Sequence, residues 1–345
     1  MLYAFELSGE HERIPALEVL CVLEAEGILA EEKFSFEQCL VVEIPDYVEF
    51  EQSSSLRVAS RLAMSHRILK VVGISDVEED GILSLSKDFD PAGFIQEGQT
   101  FAVRMKRLGK NAGPCSENIE RKMGAGIYSM GFSVNLRDPD VTFRLLINEK
   151  AIFGTVIREI DRGDFESRNP QNKPFFHPGV LMPRVARALI NISKIKPGEL
   201  LLDPFCGTAG VLVEAGVIGV KVVGNEYQEK IVSGAKLNLS CFNVDYELVA
   251  GDACNLSFRD GSFDAIITDP PYGRSAAIKA ESLSHLYRGS FVEMYRVLKK
   301  GTYLIMISER DVTDMGRKTG FAVRDVYRWR VHKSLTRLFT VFYKE

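Results

Sequence analysis

The chain has 345 residues, of which 46% are hydrophobic, and a formal net charge of −4; this length allows two or three domains with substantial cores. No apolar run is long enough for a signal peptide or a membrane span, because the longest runs have the length of one strand. The six cysteines include no Cys-x-x-Cys pair, which argues against a disulfide framework or a zinc site and favours a reducing, cytoplasmic environment.

The amino-terminal segment is strongly acidic. Residues 1–51 hold thirteen Asp and Glu against two Lys and Arg, a charge of −11 that leaves +7 for the rest of the chain. Such a segment is unsuited to lie along a phosphate backbone. Apolar periodicity predicts a small α+β, ferredoxin-like packing domain over residues 1–74. Its predicted elements are strand Leu2–Leu7, helix Ile14–Glu26, strand Phe36–Ile44, a helix from Ser53 and strand His66–Gly73.

A second α+β pattern covers residues 75–159. Its predicted elements are helix Val77–Leu85, strand Thr100–Arg107, a glycine-rich loop, helix Ser116–Tyr128 and a hairpin of Val141–Ile147 with Ala151–Val156. Residues 99–150 hold nine basic and five acidic residues. Six of the basic residues lie near the loop: Arg104, Lys106, Arg107, Lys110, Arg121 and Lys122. By itself this cluster fits a solvated face as well as a nucleic-acid contact. Residues 160–175 lack periodicity and are predicted to be a linker.

From residue 176 the pattern indicates an open α/β sheet of alternating strands and helices. Strand Glu199–Asp203 runs into the loop Pro204–Gly210, and two further strands end at Glu226 and Asp252. The carboxyl ends of parallel strands share one sheet edge, where such folds bind ligands. Asp203 suits an ammonium group, Glu226 two ribose hydroxyls and Asp252 an adenine amine. Acids in this order predict a site for S-adenosylmethionine.

Residues beside these acids complete the predicted cofactor contacts. They are Phe205, Cys206, Gly207, Thr208, Gly210, Asn225 and Ala253. Cys206 is interpreted as pocket lining, because pyrimidine-carbon methylation uses a cysteine near the fourth strand and this fourth strand has none.

The fourth strand, Phe263–Thr268, leads into Asp269-Pro270-Pro271-Tyr272-Gly273, which we call the claw. The prolines fix the backbone and remove N–H donors, so the Asp269 carboxylate and the Pro270 carbonyl can accept from one guest. The Tyr272 ring offers that guest a flat surface. A planar exocyclic amine fits, because two acceptors on its hydrogens direct the nitrogen lone pair toward a methyl donor. The predicted catalytic residues are Asp269, Pro270, Pro271 and Tyr272.

The chain then continues to a terminal hairpin. Arg274 opens a polar stretch and is a candidate phosphate contact. Helix Leu283–Lys299, strand Thr302–Ser308 and the strands Ala322–Val331 and Thr336–Tyr343 follow. Basic residues of this hairpin, Arg337 among them, either extend a nucleic-acid track or keep an edge strand soluble.

These motifs resemble the archaeal and eukaryotic tRNA (guanine-10-N2) methyltransferase family, in which a THUMP domain precedes a class I methyltransferase domain and the claw begins with Asp. Residues 176–191, which begin Phe-His-Pro-Gly, resemble the helix before the cofactor loop in such enzymes. The resemblance implies that His177 and Pro178 contact the cofactor, and that Arg274 and the basic cluster of residues 104–122 bind RNA. It implies a Rossmann-like, seven-stranded sheet with an antiparallel end hairpin over residues 176–345. It implies no metal.

Other activities stay open. A DNA adenine-N6 or cytosine-N4 methyltransferase shares the claw, although no target-recognition insert interrupts this catalytic domain. A protein glutamine N5-methyltransferase more often has the Asn form of the claw. An RNA-binding protein with an inactive methyltransferase domain is a further alternative. Besides tRNA, the resemblance implies one of two arrangements. Some members of the family work with a small zinc-binding methyltransferase activator subunit, which would dock near the sheet edge at Phe242–Leu248, whereas others act alone.

Overall fold

The computed structural model describes residues 1–109, 118–273, 280–333 and 335–345, with the side chains of residues 280–282 left out. Two residues predicted to bind RNA, Lys110 and Arg274, lie outside the described residues. The chain divides into two compact units, Met1–Asp161 and Arg162–Glu345. Within the described ranges, none of the helices combines the length and apolar composition that crossing a bilayer requires.

The first half of the first unit has the predicted ferredoxin-like fold. Its elements are β1 (Leu2–Leu7), α1 (Ile14–Ala25), β2 (Glu31–Phe36), β3 (Cys39–Glu43), α2 (Ser55–Arg61) and β4 (Ser65–Ser75). The strands are antiparallel in the order β2-β3-β1-β4. The single strand predicted over Phe36–Ile44 is wrong, because the chain turns back at Gln38, whose φ is 65°. Four of the six residues of β2 are exposed, so β2 lacks the apolar alternation that reveals a half-buried strand.

The same sheet continues through the second half of this unit. The elements there are α3 (Glu79–Ser84), β5 (Thr100–Arg107), α4 (Ile119–Tyr128), β6 (Ser133–Val134), β7 (Val141–Ile147) and β8 (Ala151–Glu159). Because β4 pairs with β8, eight strands form one sheet in the order β2-β3-β1-β4-β8-β7-β5-β6. Phe101, Met123 and Phe143 belong to a separate core between this part of the sheet and its helices.

The second unit has the predicted class I methyltransferase fold. Its helices are α5 (Asp164–Ser167), α6 (Pro183–Ile192), α7 (Gly210–Gly216), α8 (Glu229–Cys241), α9 (Ala280–Val297) and α10 (Thr313–Thr319). Its strands are β9 (Leu200–Asp203), β10 (Lys221–Glu226), β11 (Tyr246–Ala250), β12 (Phe263–Thr268), β13 (Leu298–Ser308), β14 (Ala322–His332) and β15 (Leu335–Lys344). The sheet order is β11-β10-β9-β12-β13-β15-β14, with β15 antiparallel to both neighbours and the other pairs parallel.

The order of this sheet reverses at β9. The chain proceeds from β9 through β10 to β11 on one side, then crosses to β12 on the other side. The carboxyl ends of β9, β10 and β12 therefore meet at the switch point of an open α/β sheet, where ligands bind. This brings the acid-tipped strands and the claw to one place.

Two segments of the second unit differ from the sequence-based expectation. The helix predicted to reach Lys299 ends at Val297, because Leu298 already pairs with Phe263 across β12 and β13. The segment assigned to a linker contains packed residues. Arg168 is buried, and its Nε donates to the fully buried Glu214 carboxylate at 2.7 Å.

Candidate active site

Asp203, at the carboxyl end of β9, is almost fully buried. Its Oδ1 accepts hydrogen bonds from the Phe205 N–H at 3.1 Å and from the Thr268 hydroxyl at 2.8 Å. Burial raises the pKa of Asp203 to about 7 against the effect of these two hydrogen bonds, and the charges of Asp269 and Glu226 also raise it. A nearby cation would favour the carboxylate form. The position therefore suits a ligand that brings a positive charge.

The loop after β9 is held by Glu226 at the end of β10. Gly207 and Ala209 have φ values of 50° and 65°, in the left-handed region, and the Gly207 N–H donates to Glu226 Oε2 at 3.2 Å. The other oxygen, Oε1, accepts from the Gln228 N–H at 3.0 Å. Because an ionised carboxylate has about four lone-pair sites, Glu226 retains the capacity to accept from two ligand hydroxyls.

Three predicted cofactor residues lie outside the cleft at this edge of the sheet. The buried Asn225 side chain donates to the carbonyls of Pro204 and Gly251 at 3.1 and 3.0 Å, so it joins two loops. Asp252 accepts from the Cys254 N–H at 2.8 Å, and Ala253 is buried. Asn225, Asp252 and Ala253 do not line the cleft that the described residues form at this edge.

The cleft is lined by nine of the twelve predicted cofactor residues and by Asp269. The nine are His177, Pro178, Asp203, Phe205, Cys206, Gly207, Thr208, Gly210 and Glu226. Burial, together with the charges of Asp203 and Glu226, raises the pKa of the Cys206 thiol well above its usual range, so the thiol is neutral and serves as lining. The lining combines carboxylates with apolar and backbone surface. The carboxylates fit the ammonium and ribose parts of S-adenosylmethionine.

The claw stands at the end of β12. Asp269 Oδ1 accepts from the Tyr272 hydroxyl, and Asp269 Oδ2 is 3.4 Å from Arg337 Nη2. Burial raises the pKa of Asp269 to about 6, although the Arg337 charge and the Tyr272 hydrogen bond oppose this rise. The Pro271 carbonyl accepts from the Tyr287 hydroxyl at 3.4 Å. Asp269 is thus ionised near pH 7, and the side chains of Tyr272 and Arg337 each contact one of its carboxylate oxygens.

Arg337 is the main site residue that sequence patterns alone did not assign. It is only 7% exposed, lies on the interior strand β15, and donates from Nη2 to the Gly179 carbonyl at 2.8 Å. Its guanidinium carbon is 5.9 Å from the centre of the Tyr272 ring. Because β15 is an interior strand, a role in keeping an edge strand soluble is wrong for Arg337, whereas its place in an RNA track stays a prediction. The alternation of the strand could have predicted its burial. Arg337 is two and four residues before the buried Phe339 and Val341, and residues at this spacing share one face of a strand.

The predicted RNA-binding residues of the first unit differ in their surroundings. Arg107, Arg121 and Lys122 are exposed, and Lys122 pairs with Glu79. Lys106 Nζ lies 2.7 Å from Glu6 Oε1. Arg104 donates to the carbonyls of Val103 and Leu136. Part of the basic cluster is therefore engaged within the unit.

Comparison with protein families and solved structures agrees with this architecture. A THUMP domain model matches residues 77–154, and a model described as an RMKL-like methyltransferase domain matches residues 170–338. The crystal structure of SMU.472 complexed with SAH is 15% identical, covers 100% of this chain and 98% of that chain, and has a TM-score of 0.55. At this identity the likeness supports the fold alone.

Two curated relatives are similar along most of their length. The tRNA (guanine(10)-N2)-dimethyltransferase of Methanothermobacter thermautotrophicus is 34% identical, with 97% of each chain covered. The enzyme of the same name from Pyrococcus abyssi is 36% identical, with 83% of this chain and 86% of that protein covered. With a THUMP domain, a methyltransferase domain and this level of identity, the chain belongs to the tRNA (guanine-10-N2) methyltransferase family.

Proposed function

We propose that this chain methylates the exocyclic N2 amine of guanosine 10 in tRNA, with S-adenosylmethionine as the methyl donor. The supporting observation is the juxtaposition, at one sheet edge, of the claw and a cleft that contains Asp203 and Glu226. Family membership supports the choice of tRNA, and the names of both relatives favour transfer of two methyl groups.

The carboxylates of the cleft suit the predicted cofactor. Asp203 would hold the ammonium group and Glu226 the ribose hydroxyls, with Phe205 and Cys206 as lining. S-adenosylmethionine would supply an electrophilic methyl group on its sulfonium sulfur.

The claw would position the amine. Asp269 and the Pro270 carbonyl accept its two hydrogens, and Tyr272 stacks on the extruded base. The Tyr272 hydroxyl now donates to Asp269, so the amine takes over this acceptor when the base enters. The amine becomes acidic only after alkylation, and a carboxylate with a pKa of about 6 can then take the proton. Most of the acceleration would come from positioning.

A direct test is methyl transfer from labelled S-adenosylmethionine to tRNA, duplex DNA and a glutamine-containing protein, measured in parallel. The proposal expects label in tRNA alone. Label in DNA or protein would support one of the other methyltransferase classes. Binding of S-adenosylmethionine without transfer to any substrate would support an RNA-binding protein with an inactive domain.

We predict that Glu226→Ala weakens S-adenosylmethionine binding by roughly ten- to a hundred-fold, because it removes a charged acceptor for two ribose hydroxyls. Calorimetric titration measures the change. Glu229→Ala, three residues later in the first turn of α8, is the matched control and should bind normally. Wild-type affinity in Glu226→Ala would remove Glu226 from the cofactor site.

We also propose that the first unit, Met1–Asp161, supplies tRNA affinity through its basic cluster. Arg107 and Arg121 are the sharpest probes because their side chains are exposed. The double variant Arg107→Glu, Arg121→Glu should weaken tRNA binding. Its slope of log affinity against log salt should be shallower by roughly 0.7–0.9 for each phosphate that the variant no longer neutralises.

Filter-binding titrations over a salt series measure both quantities. Arg317→Glu, which reverses an exposed arginine paired with Asp314 in the second unit, is the control and should bind tRNA like the wild type. An unchanged affinity and slope in the double variant would exclude these two arginines from the RNA contact.

For the activator subunit, we propose docking at β11, the edge strand of the second sheet. Exposed edge strands offer unpaired backbone groups to a partner, and Tyr246, Leu248 and Val249 are only partly buried. We expect the chain alone to be less soluble and to bind cofactor less tightly than the chain co-expressed with the subunit. A soluble chain that methylates tRNA at full rate alone would contradict this docking.

A further inference from the structure

A second cavity lies in the methyltransferase unit beside the claw. Its walls are formed mainly by Tyr272, Leu283, Tyr287, Glu309, Val312 and Met315. Asp269 lines the cofactor cleft and Tyr272, three residues later, lines this second cavity. The claw therefore stands between a site for a methyl donor and a second cavity.

Two observations place the second cavity next to the claw. The Tyr287 hydroxyl on its wall donates to the Pro271 carbonyl of the claw at 3.4 Å. On the neighbouring strand β13, Met306 is the register partner of Thr268, so Glu309 follows the end of β13 as the claw follows the end of β12. Besides burial, the charge of Glu309 raises the pKa of both Asp269 and Tyr287, which agrees with a position of its carboxylate near the claw.

The lining is suited to a flat aromatic ring that carries N–H donors. Two tyrosine rings and three aliphatic side chains form the apolar part, and stacking on such walls stabilises an extruded base. Two carboxylates, those of Glu309 and Asp311, also line the cavity, and Asp311 accepts from the Thr313 N–H at 2.8 Å at the start of α10. Glu309 is the carboxylate that follows directly on β13, beside the claw.

We propose that this cavity receives the guanine ring and that Glu309 accepts its N1–H, which makes Glu309 the residue that selects guanine. This inference rests on the proposed function, because it assigns the base-reading part of the same site. Guanine presents a donor at N1 next to its amine, whereas adenine presents an acceptor there. A carboxylate attracts the first edge and repels the second.

The test uses two tRNA molecules, assembled by ligation, that differ only at the target nucleoside, guanosine or 2-aminopurine riboside. Both carry the reactive amine, but 2-aminopurine lacks N1–H. The wild-type chain should prefer guanosine in kcat/KM by roughly 10- to 100-fold, the effect of one hydrogen bond to a charged group. In Glu309→Gln the carboxamide can donate to N1 of 2-aminopurine, so this preference should fall by roughly tenfold or more.

Asp311→Asn is the matched control, since it removes one charge from the same cavity and should keep the wild-type preference ratio. Glu309→Asp keeps the charge and should also prefer guanosine, at a lower rate. A preference unchanged in Glu309→Gln, or lowered equally in Asp311→Asn, would overturn the assignment of Glu309. If the wild-type chain methylates neither tRNA, the proposed function fails and this inference fails with it.

Discussion

Replacing Asp269 with alanine is expected to lower methyl transfer to tRNA by about 10²- to 10³-fold or more, the range found when one preorganised hydrogen-bonding group is removed from an active site. The carboxylate is the charged member of the pair of acceptors in the claw. Its pKa of about 6 leaves it ionised at pH 7, and Arg337 directs its second oxygen. Single-turnover methylation of tRNA measures the loss. Binding of S-adenosylmethionine should remain nearly unchanged, because the claw meets only the methyl end of the cofactor.

Tyr272→Phe is the contrasting variant. It removes the hydroxyl that donates to Asp269 but keeps the ring that stacks on the base, so a much smaller loss than in Asp269→Ala is expected. Equal losses of turnover and of cofactor binding in Asp269→Ala would mean that Asp269 maintains the fold of the site instead of holding the amine.

The largest expected effect on stability comes from Glu6→Ala in the first unit. The Glu6 carboxylate is fully buried and accepts two hydrogen bonds from Arg144, at 2.7 and 3.0 Å, and one from Lys106 at 2.7 Å. β1 lies several strands from β5 and β7 in the sheet, and the long side chains of Arg144 and Lys106 nevertheless reach Glu6. Removing the acid would leave the largely buried Arg144 guanidinium, whose side chain is 12% exposed, without its partner, at a cost of about 3–5 kcal/mol in the free energy of unfolding. Urea unfolding of the full chain measures this cost.

The charge of Glu6 also predicts a pH dependence. Burial alone would raise its pKa, but the hydrogen bonds and charges of Arg144 and Lys106 outweigh burial and hold the pKa at about 2, below the unfolded value of 4.5. A lowered folded-state pKa stabilises the fold above the unfolded pKa and loses this contribution as the pH falls through the folded value. The wild type should therefore lose stability between about pH 4.5 and pH 2, and Glu6→Ala should show less of this loss.

Glu159→Ala is the control for Glu6. Glu159 is 70% exposed and pairs with Arg67 at 2.9 Å, so its removal should change the unfolding free energy by less than about 1 kcal/mol. Equal effects of the two variants would contradict a structural role for the buried carboxylate.

The sequence predicted those parts of the site that depend on local order along the chain. Asp203, Glu226 and Asp269 each end a buried strand, and parallel strands bring such ends together. The roles of Arg337 and Glu6 could not be predicted from local order, because they arise from contacts between segments that are distant in the sequence. Arg144 lies 138 residues from Glu6 in the sequence, and a local charge count cannot show which cations a buried acid will bind. The same limit explains Lys106, whose charge was counted toward RNA binding although its ammonium group contacts Glu6.

The most direct test of the central proposal is a mass-spectrometric digest of one unmodified tRNA after incubation with this chain and S-adenosylmethionine. The account predicts N2-methylated guanosine, with one or two added methyl groups, in the single fragment that contains position 10. A methyl group on an adenosine, on a ring carbon or at another guanosine would contradict it.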